Sequence, residues 1–220
     1  MRLYVLGLLA AAAIVLTSNG CKQPPAPEIT YEQIESQIGR GELNLAEASL
    51  KSALASCRQA DWSWRFRIQK ARVLASRGHA DEAAKLLNDN FPPFLGNTDV
   101  AVLRLAILGA AYRINQRFQD SERVLGRAEA LATSSHPELL PKVLIEKGSL
   151  EVDEGELPSA SMSYHQALTL SQAQGNKDQE AAALVNLARL AISERHFAEA
   201  TRQRMREQLE RNPPKKRGGA

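Results

Sequence analysis

The chain has 220 residues, of which 44% are apolar and 24% charged, values close to those of globular proteins. This composition excludes a chain that is disordered throughout, and an aromatic content of only 5% favours packed helices over a strand-rich sandwich. The net charge of +3 does not indicate a basic body, because basic residues concentrate between Arg202 and Arg217 and the rest of the chain is net acidic.

The first 20 residues are typical of a secretion signal. Arg2 precedes an apolar run from Leu3 to Leu16, which is too short to cross roughly 30 Å of hydrocarbon as a helix. Small residues then lead to Cys21, an arrangement that resembles a bacterial lipoprotein signal with Cys21 as the lipid attachment site. Ser18 stands where that signal usually has Leu, so ordinary cleavage that leaves Cys21 as a free thiol stays open.

Residues 21–27 follow as a spacer. Three prolines and no apolar cluster predict an extended segment that holds a folded body away from a membrane surface. The sequence therefore predicts a signal peptide over 1–20, a lipidated cysteine and Pro-rich spacer over 21–27, and a protein anchored in the bacterial cell envelope that faces the periplasm or the exterior.

The body of the chain repeats. Small residues recur at separations of 37, 38, 39 and 40 positions, at Ala46, Ala83, Ser121, Ala160 and Ala200. Five positions before three of them lies a glycine, which suits a tight turn: Gly41, Gly78 and Gly155. Gln116 and Arg195 stand at the same position in the other two copies. A regular recurrence of this length indicates stacked structural units.

Each period is predicted to contain two helices. Apolar residues at helical spacing precede the turn, as in Leu105, Leu108 and Tyr112. The glycine ends the first helix, and the small residue in the second lets the two helices approach closely. Loop signals separate the units, at Phe91–Phe94, Ser134–Pro137 and Gly175–Asn176.

These residues resemble the tetratricopeptide repeat (TPR) family. Gly109 and Tyr112 match the first helix of its pattern, and the second half of the pattern is matched by Gly155, Leu157, Ala160, Tyr164 and Ala167. The resemblance implies an all-α, right-handed solenoid of about five TPR-like helical hairpins over residues 28–201. The long period is similar to bacterial arrays that often precede other domains, including CHAT peptidase domains.

The fifth unit departs from the pattern. Arg204 and Glu207 stand where the second helix should have a large apolar residue and an Ala. Two interpretations stay open: a solvated capping helix, which solenoids need at their ends, or an array cut short from a longer ancestor. Residues 202–220 are predicted to be a polar end of the capping helix followed by a basic disordered tail.

Patterns for catalysis and for metal or cofactor binding are missing. The sequence has no phosphate-binding glycine loop, no zinc-ligand spacing and no nucleophile elbow. Its histidines are scattered, and Cys57 is interpreted as a packed side chain. We therefore expect no enzyme activity, no cofactor and no metal. A secreted chain also meets little nucleic acid, so nucleic-acid binding by the basic tail is not expected.

The resemblance also implies a binding site. Inward-facing positions of the first helices line the concave side of such arrays. They carry basic and apolar residues, which indicates a groove for a protein or peptide that bears acidic and apolar side chains. Carried onto this chain, the partner-binding residues are Arg65, Ile68, Arg72, Ala106, Arg113, Lys142, Ile145, Ser149, Val185 and Arg189.

Two functions fit this sequence. The first is a membrane-tethered scaffold that binds a partner protein in the groove. The alternative is a recruitment or regulatory segment of a larger enzyme system, similar to a CHAT peptidase, whose catalytic domain lies on another chain.

Overall fold

The computed structural model describes residues 26–211, which form helices and turns without a β-strand. Two single-turn 3₁₀ helices lie in the loops before α5 and α7. The α-helices are α1 (Pro27–Gly39), α2 (Leu43–Ser56), α3 (Ala60–Ser76), α4 (Ala80–Asn88), α5 (Asp99–Ile114), α6 (Phe118–Ser135), α7 (Leu140–Asp153), α8 (Leu157–Gln174) and α9 (Lys177–Arg211).

The helices α1 to α8 pair as four hairpins that stack in sequence order. Each first helix contacts the next first helix, so that α1, α3, α5, α7 and α9 form one continuous layer. The second helices α2, α4, α6 and α8 pack against their own partners and against the following first helix. This arrangement confirms the all-α solenoid, and the inner layer of first helices is the surface on which the candidate site was predicted.

A left-handed residue makes each hairpin turn, as the repeat predicted. The backbone φ angle is +74° at Gly41, +83° at Gly78, +58° at Gln116 and +84° at Gly155. In the first turn the next residue, Glu42, donates its N–H to Gln37 O at 2.9 Å, which satisfies a carbonyl at the end of α1. The same bond closes the other three turns.

The fifth unit differs from this prediction. The helix α9 continues to Arg211 through the position where the repeat places a turn, at Arg195. An arginine there would adopt a left-handed conformation at a cost of about 1–2 kcal/mol. Arg204, which stands where the repeat has a large apolar residue, is exposed and supplies no apolar surface to offset that cost. The described chain therefore contains four closed hairpins and one long final helix.

Small residues hold the paired helices together. Ala46, Ala83, Ser121 and Ala160 are all 0% exposed, which confirms their predicted role at the closest approach of two helices. The equivalent Ala200 belongs to α9. Residues 1–25 and 212–220, with the predicted signal peptide, Cys21 and the basic tail, lie outside the described residues.

Candidate partner-binding groove

All ten predicted groove residues lie on first helices: α3, α5, α7 and α9. The side chains of Ile68, Ala106 and Ile145 are only 2%, 0% and 8% exposed, and each belongs to an apolar cluster between helices. They support the groove from beneath and are not available to a partner, which corrects the prediction for these three. The two residues on α9, Val185 and Arg189, are exposed, and the rest are half-buried.

Three of the predicted arginines are paired with carboxylates of a neighbouring first helix. Arg65 Nη2 lies 2.5 Å from Asp99 Oδ2, and Arg72 Nη1 lies 2.9 Å from Glu35 Oε1. Arg113 Nη1 lies 2.7 Å from Asp153 Oδ2. These acids, which the sequence analysis missed, neutralise the arginines and tie successive repeats together.

A glutamine completes the pair between α1 and α3. The Gln69 side chain is 1% exposed. Its Nε2 donates to Glu35 Oε1 at 2.9 Å, and its Oε1 accepts a hydrogen bond from Arg72 at 2.7 Å. Buried amides of this kind are stable only when their polar atoms are satisfied, so the network holds Arg72 in place along the groove.

Lys142 and Glu146 have a different environment. They lie one turn apart on α7, both half-buried, and within residues 26–211 neither forms an ion pair or a hydrogen bond. Burial lowers the pKa of Lys142, and the charge of Arg72 lowers it further. Burial raises the pKa of Glu146, against the opposing charges of Arg113 and Lys142. The groove thus holds two half-buried charges of opposite sign, one turn apart, without an ion-pair partner among the described residues.

Residues of α5, α7, α8 and α9 line a shallow depression of about 190 Å³. Its lining includes Arg113, Ser149, Tyr164 and Arg189. Ser149 Oγ lies 3.2 Å from the Tyr164 hydroxyl and donates to Ile145 O at 2.9 Å. The structure therefore brings Arg113, Ser149 and Arg189 together as predicted positions of one surface, whereas Val185 lies outside this depression.

Two donors in the groove are unsatisfied. The Nε atoms of Arg65 and Arg113 are buried, and no acceptor within the described residues lies in hydrogen-bond range of them. Buried polar atoms without partners are uncommon in proteins.

Tyr31, beside the Glu35–Gln69–Arg72 network, gives a testable pH dependence. Burial, helped by the charge of Glu35, raises the pKa of its hydroxyl from 10.0 to about 12. The unfolded chain ionises this tyrosine first, so stability that is present below pH 10 is lost as the pH rises towards 12.

Replacing Tyr31 with Phe should therefore flatten the loss of stability at high pH. We expect the free energy of unfolding of the unmodified protein to fall by about 1 kcal/mol more than that of Tyr31→Phe between about pH 9 and about pH 11. Urea unfolding at each pH measures this difference. Parallel curves for the two proteins would contradict the assignment.

The described residues contain no group of three side chains suited to hold a metal ion. In the same range, no helix is both long and apolar enough to cross a membrane.

Comparisons with known proteins agree with the fold. No protein-family model and no curated protein matches the chain. The crystal structure of BtubC (BKLC) from P. vanneervenii superposes with a TM-score of 0.54 at 18% identity, covering 88% of this chain and 84% of that one. A Podosopora anserina structure of nearly identical TPR-like repeats gives a TM-score of 0.48 at 16% identity, covering 86% and 100%.

The chain has a TPR-like helical-repeat fold. At this level of identity the likeness concerns the fold. This fold explains why the candidate groove lies on the first helices of successive hairpins, and why Gly109 and Gly148 lie against large side chains of the second helices.

Proposed function

We propose that this TPR-like protein is a scaffold that binds a segment of a partner protein along its first helices, centred on Lys142 and Glu146. The observation that supports this most directly is the contrast within one groove. Arg65, Arg72 and Arg113 have ionic partners, whereas Lys142 and Glu146 have none among the described residues.

Half-buried charges without ionic partners are costly to a fold, and ionisable groups with perturbed pKa values cluster at functional sites. A bound segment would supply a carboxylate for Lys142 and a basic or hydrogen-bond-donating group for Glu146. Charge-assisted hydrogen bonds of this kind are stronger than neutral ones and fix the register of a ligand.

The partner segment therefore carries an acidic side chain next to a basic or polar one, and apolar side chains beside them. Exposed apolar surface at the end of the groove is provided by Val185, which is 52% exposed. An uninterrupted acidic stretch fits less well, because the acids Glu35, Asp99, Glu146 and Asp153 lie in or beside the groove.

The scaffold is proposed to be tethered to the cell envelope through Cys21. The support for this is the sequence of residues 1–21, with its short apolar run followed by a lone cysteine. The helix α1 begins at Pro27, so a short spacer would join a lipidated Cys21 directly to the first repeat.

A charge exchange tests the groove. The full-length protein and the variant Lys142→Glu/Glu146→Lys have the same net charge, and each is used to retain partners from the detergent-solubilised envelope of the native host. The matched control exchanges the ion pair Lys147–Glu129, whose charged atoms lie 2.8 Å apart between α7 and α6. Circular dichroism confirms that each variant folds.

We expect the groove exchange to weaken the affinity for the retained partner by about tenfold or more, and the control exchange to leave it unchanged. Calorimetry with the purified partner measures both. Equal affinity in all three proteins would reject the groove, and a retained partner with hydrolase activity would support the recruitment function instead.

A further inference from the structure

The final helix α9 has two apolar faces, and only one of them is covered. Ala183 and Leu190 are 0% and 4% exposed and pack in clusters with residues of α7 and α8. On the other side, Leu184 and Ile192 are 48% and 58% exposed, with the exposed Ala188 between them. We call Leu184, Ala188 and Ile192 the outer face of α9.

The repeat explains why this face is apolar. In the third and fourth hairpins the residue seven positions before the turn is Gly109 or Gly148, and it is covered by Leu125 or Tyr164 of the second helix. The equivalent residue in α9 is Ala188. Because α9 runs straight on and no second helix returns within residues 26–211, the surface that other units bury inside a hairpin stays exposed here.

The outer face is symmetric about Ala188. Leu184 and Ile192 lie four residues before and after it. Eleven residues before it is Lys177, and eleven after it is Glu199, both exposed and on the same stripe of the helix. Lys177 Nζ lies 2.8 Å from Glu180 Oε2 in the single chain, so it would share its charge between Glu180 and Glu199 of the second copy. In two antiparallel helices that cross at Ala188, residues equally far on either side face each other, so Leu184 would meet Ile192 and Lys177 would meet Glu199 of the second copy.

We propose that two copies of this chain associate through an antiparallel pairing of their α9 helices, crossing at Ala188. A self-complementary patch of this kind builds a closed two-fold dimer. The small side chain at the crossing allows close approach of the helices, as Gly109 and Gly148 do within the hairpins. The opposite charges at the two ends set the direction and the register.

This pairing accounts for both unusual properties of α9: the uncovered apolar face and the absence of a turn at Arg195. The stripe from Lys177 to Glu199 would be straight over about 33 Å at 1.5 Å per residue. Breaking the helix at the predicted turn would separate Glu199 from the lysine that it meets. The proposal is independent of the groove on the first helices.

Cross-linking tests the register directly. In a full-length background with Cys21→Ser and Cys57→Ser, oxidised Ala188→Cys should form a dimer through one symmetric disulfide, because only the crossing point brings identical residues within disulfide reach. Met205 is 59% exposed and lies on the same helix but off the outer face. The variant Met205→Cys should therefore stay monomeric. Equal cross-linking of the two variants, or none with Ala188→Cys, would overturn the proposal.

Sedimentation provides a second test with surface variants that leave the core intact. We expect a dimer that forms with increasing concentration over roughly 1–100 µM, and at least a tenfold weaker association for Leu184→Asp. Met205→Asp is the matched control and should associate normally. Lys177→Glu should weaken association, and the exchange Lys177→Glu/Glu199→Lys should restore it. Failure of the exchange to restore dimers would exclude the antiparallel register, and a monomer at all concentrations would exclude the interface.

Discussion

Gly109→Val should lower the free energy of unfolding by about 3 kcal/mol, because the third hairpin has no room for a side chain at this position. A Cβ atom there would lie 2.5 Å from Leu125 Cγ and 2.6 Å from its Cδ2. Leu125 is 1% exposed and cannot move aside into solvent. The helices α5 and α6 would have to separate, which would also lengthen the 2.8 Å hydrogen bond from Ser121 Oγ to Gly109 O.

A second glycine offers a matched control. Gly126 lies in α6, is exposed, and a Cβ added to it would meet no atom within 4 Å. Gly126→Val should change the free energy of unfolding by less than about 0.5 kcal/mol, since Val and Gly differ little in helix propensity. Urea unfolding followed by circular dichroism compares the two. Similar values for both variants would mean that the close approach of α5 and α6 is not needed for stability.

The hairpins could be predicted from the sequence because their determinants are local. Gly41, Gly78 and Gly155 adopt the left-handed turn that glycine permits, and the small residue five positions later is buried in each case. A turn, a close approach and a repeat length are all encoded within one period of the chain. The fold class followed from the recurrence of these features rather than from any single one.

The course of α9 could not be predicted in the same way. The fifth unit matched the repeat at Ala200, but the turn depends on Arg195 and on what a returning helix would bury. With Arg204 on the side that should be apolar, folding back would desolvate a charge without an ionic partner. A comparison that only counts residues matching the repeat does not include this cost of desolvation.

The groove was predicted only in part, because it depends on contacts between repeats. The predicted residues lie on the first helices, yet the rotation of these helices buries Ile68 and Ala106. The sequence analysis did not identify the acids that pair with the arginines, because these acids lie on other helices. Their separations from the arginines were a usable signal: the pairs Arg65–Asp99, Arg72–Glu35 and Arg113–Asp153 span 34, 37 and 40 residues, about one repeat.

Trp64→Ala should destabilise the protein even more, by about 4 kcal/mol, because this residue compensates for a shortened helix. The second helix of the second hairpin, α4, has 9 residues, whereas α6 and α8 have 18 each. The chain leaves α4 before Pro92 and Pro93, and Phe91 turns inward to fill the space. Its ring packs edge-on against Trp64 at a centroid distance of 4.9 Å.

Arg104 also packs against Phe91. Its guanidinium lies 4.5 Å from the Phe91 ring and donates to Leu87 O at 2.7 Å, which satisfies a carbonyl near the end of α4. Removing the indole, which is 4% exposed, would leave a cavity beneath Phe91 and release the loop that joins the second and third hairpins.

The neighbouring Phe94 provides a control for the stability loss expected of Trp64→Ala. It belongs to the same loop but is 72% exposed, so Phe94→Ala should change the free energy of unfolding by less than about 0.5 kcal/mol. Urea unfolding measures both variants. If Trp64→Ala cost no more than Phe94→Ala, the stack of Trp64, Phe91 and Arg104 would not be what replaces the missing turns of α4. A large difference between their free energies of unfolding would support the role of Trp64 and Phe91 in filling the space that the missing turns of α4 leave open.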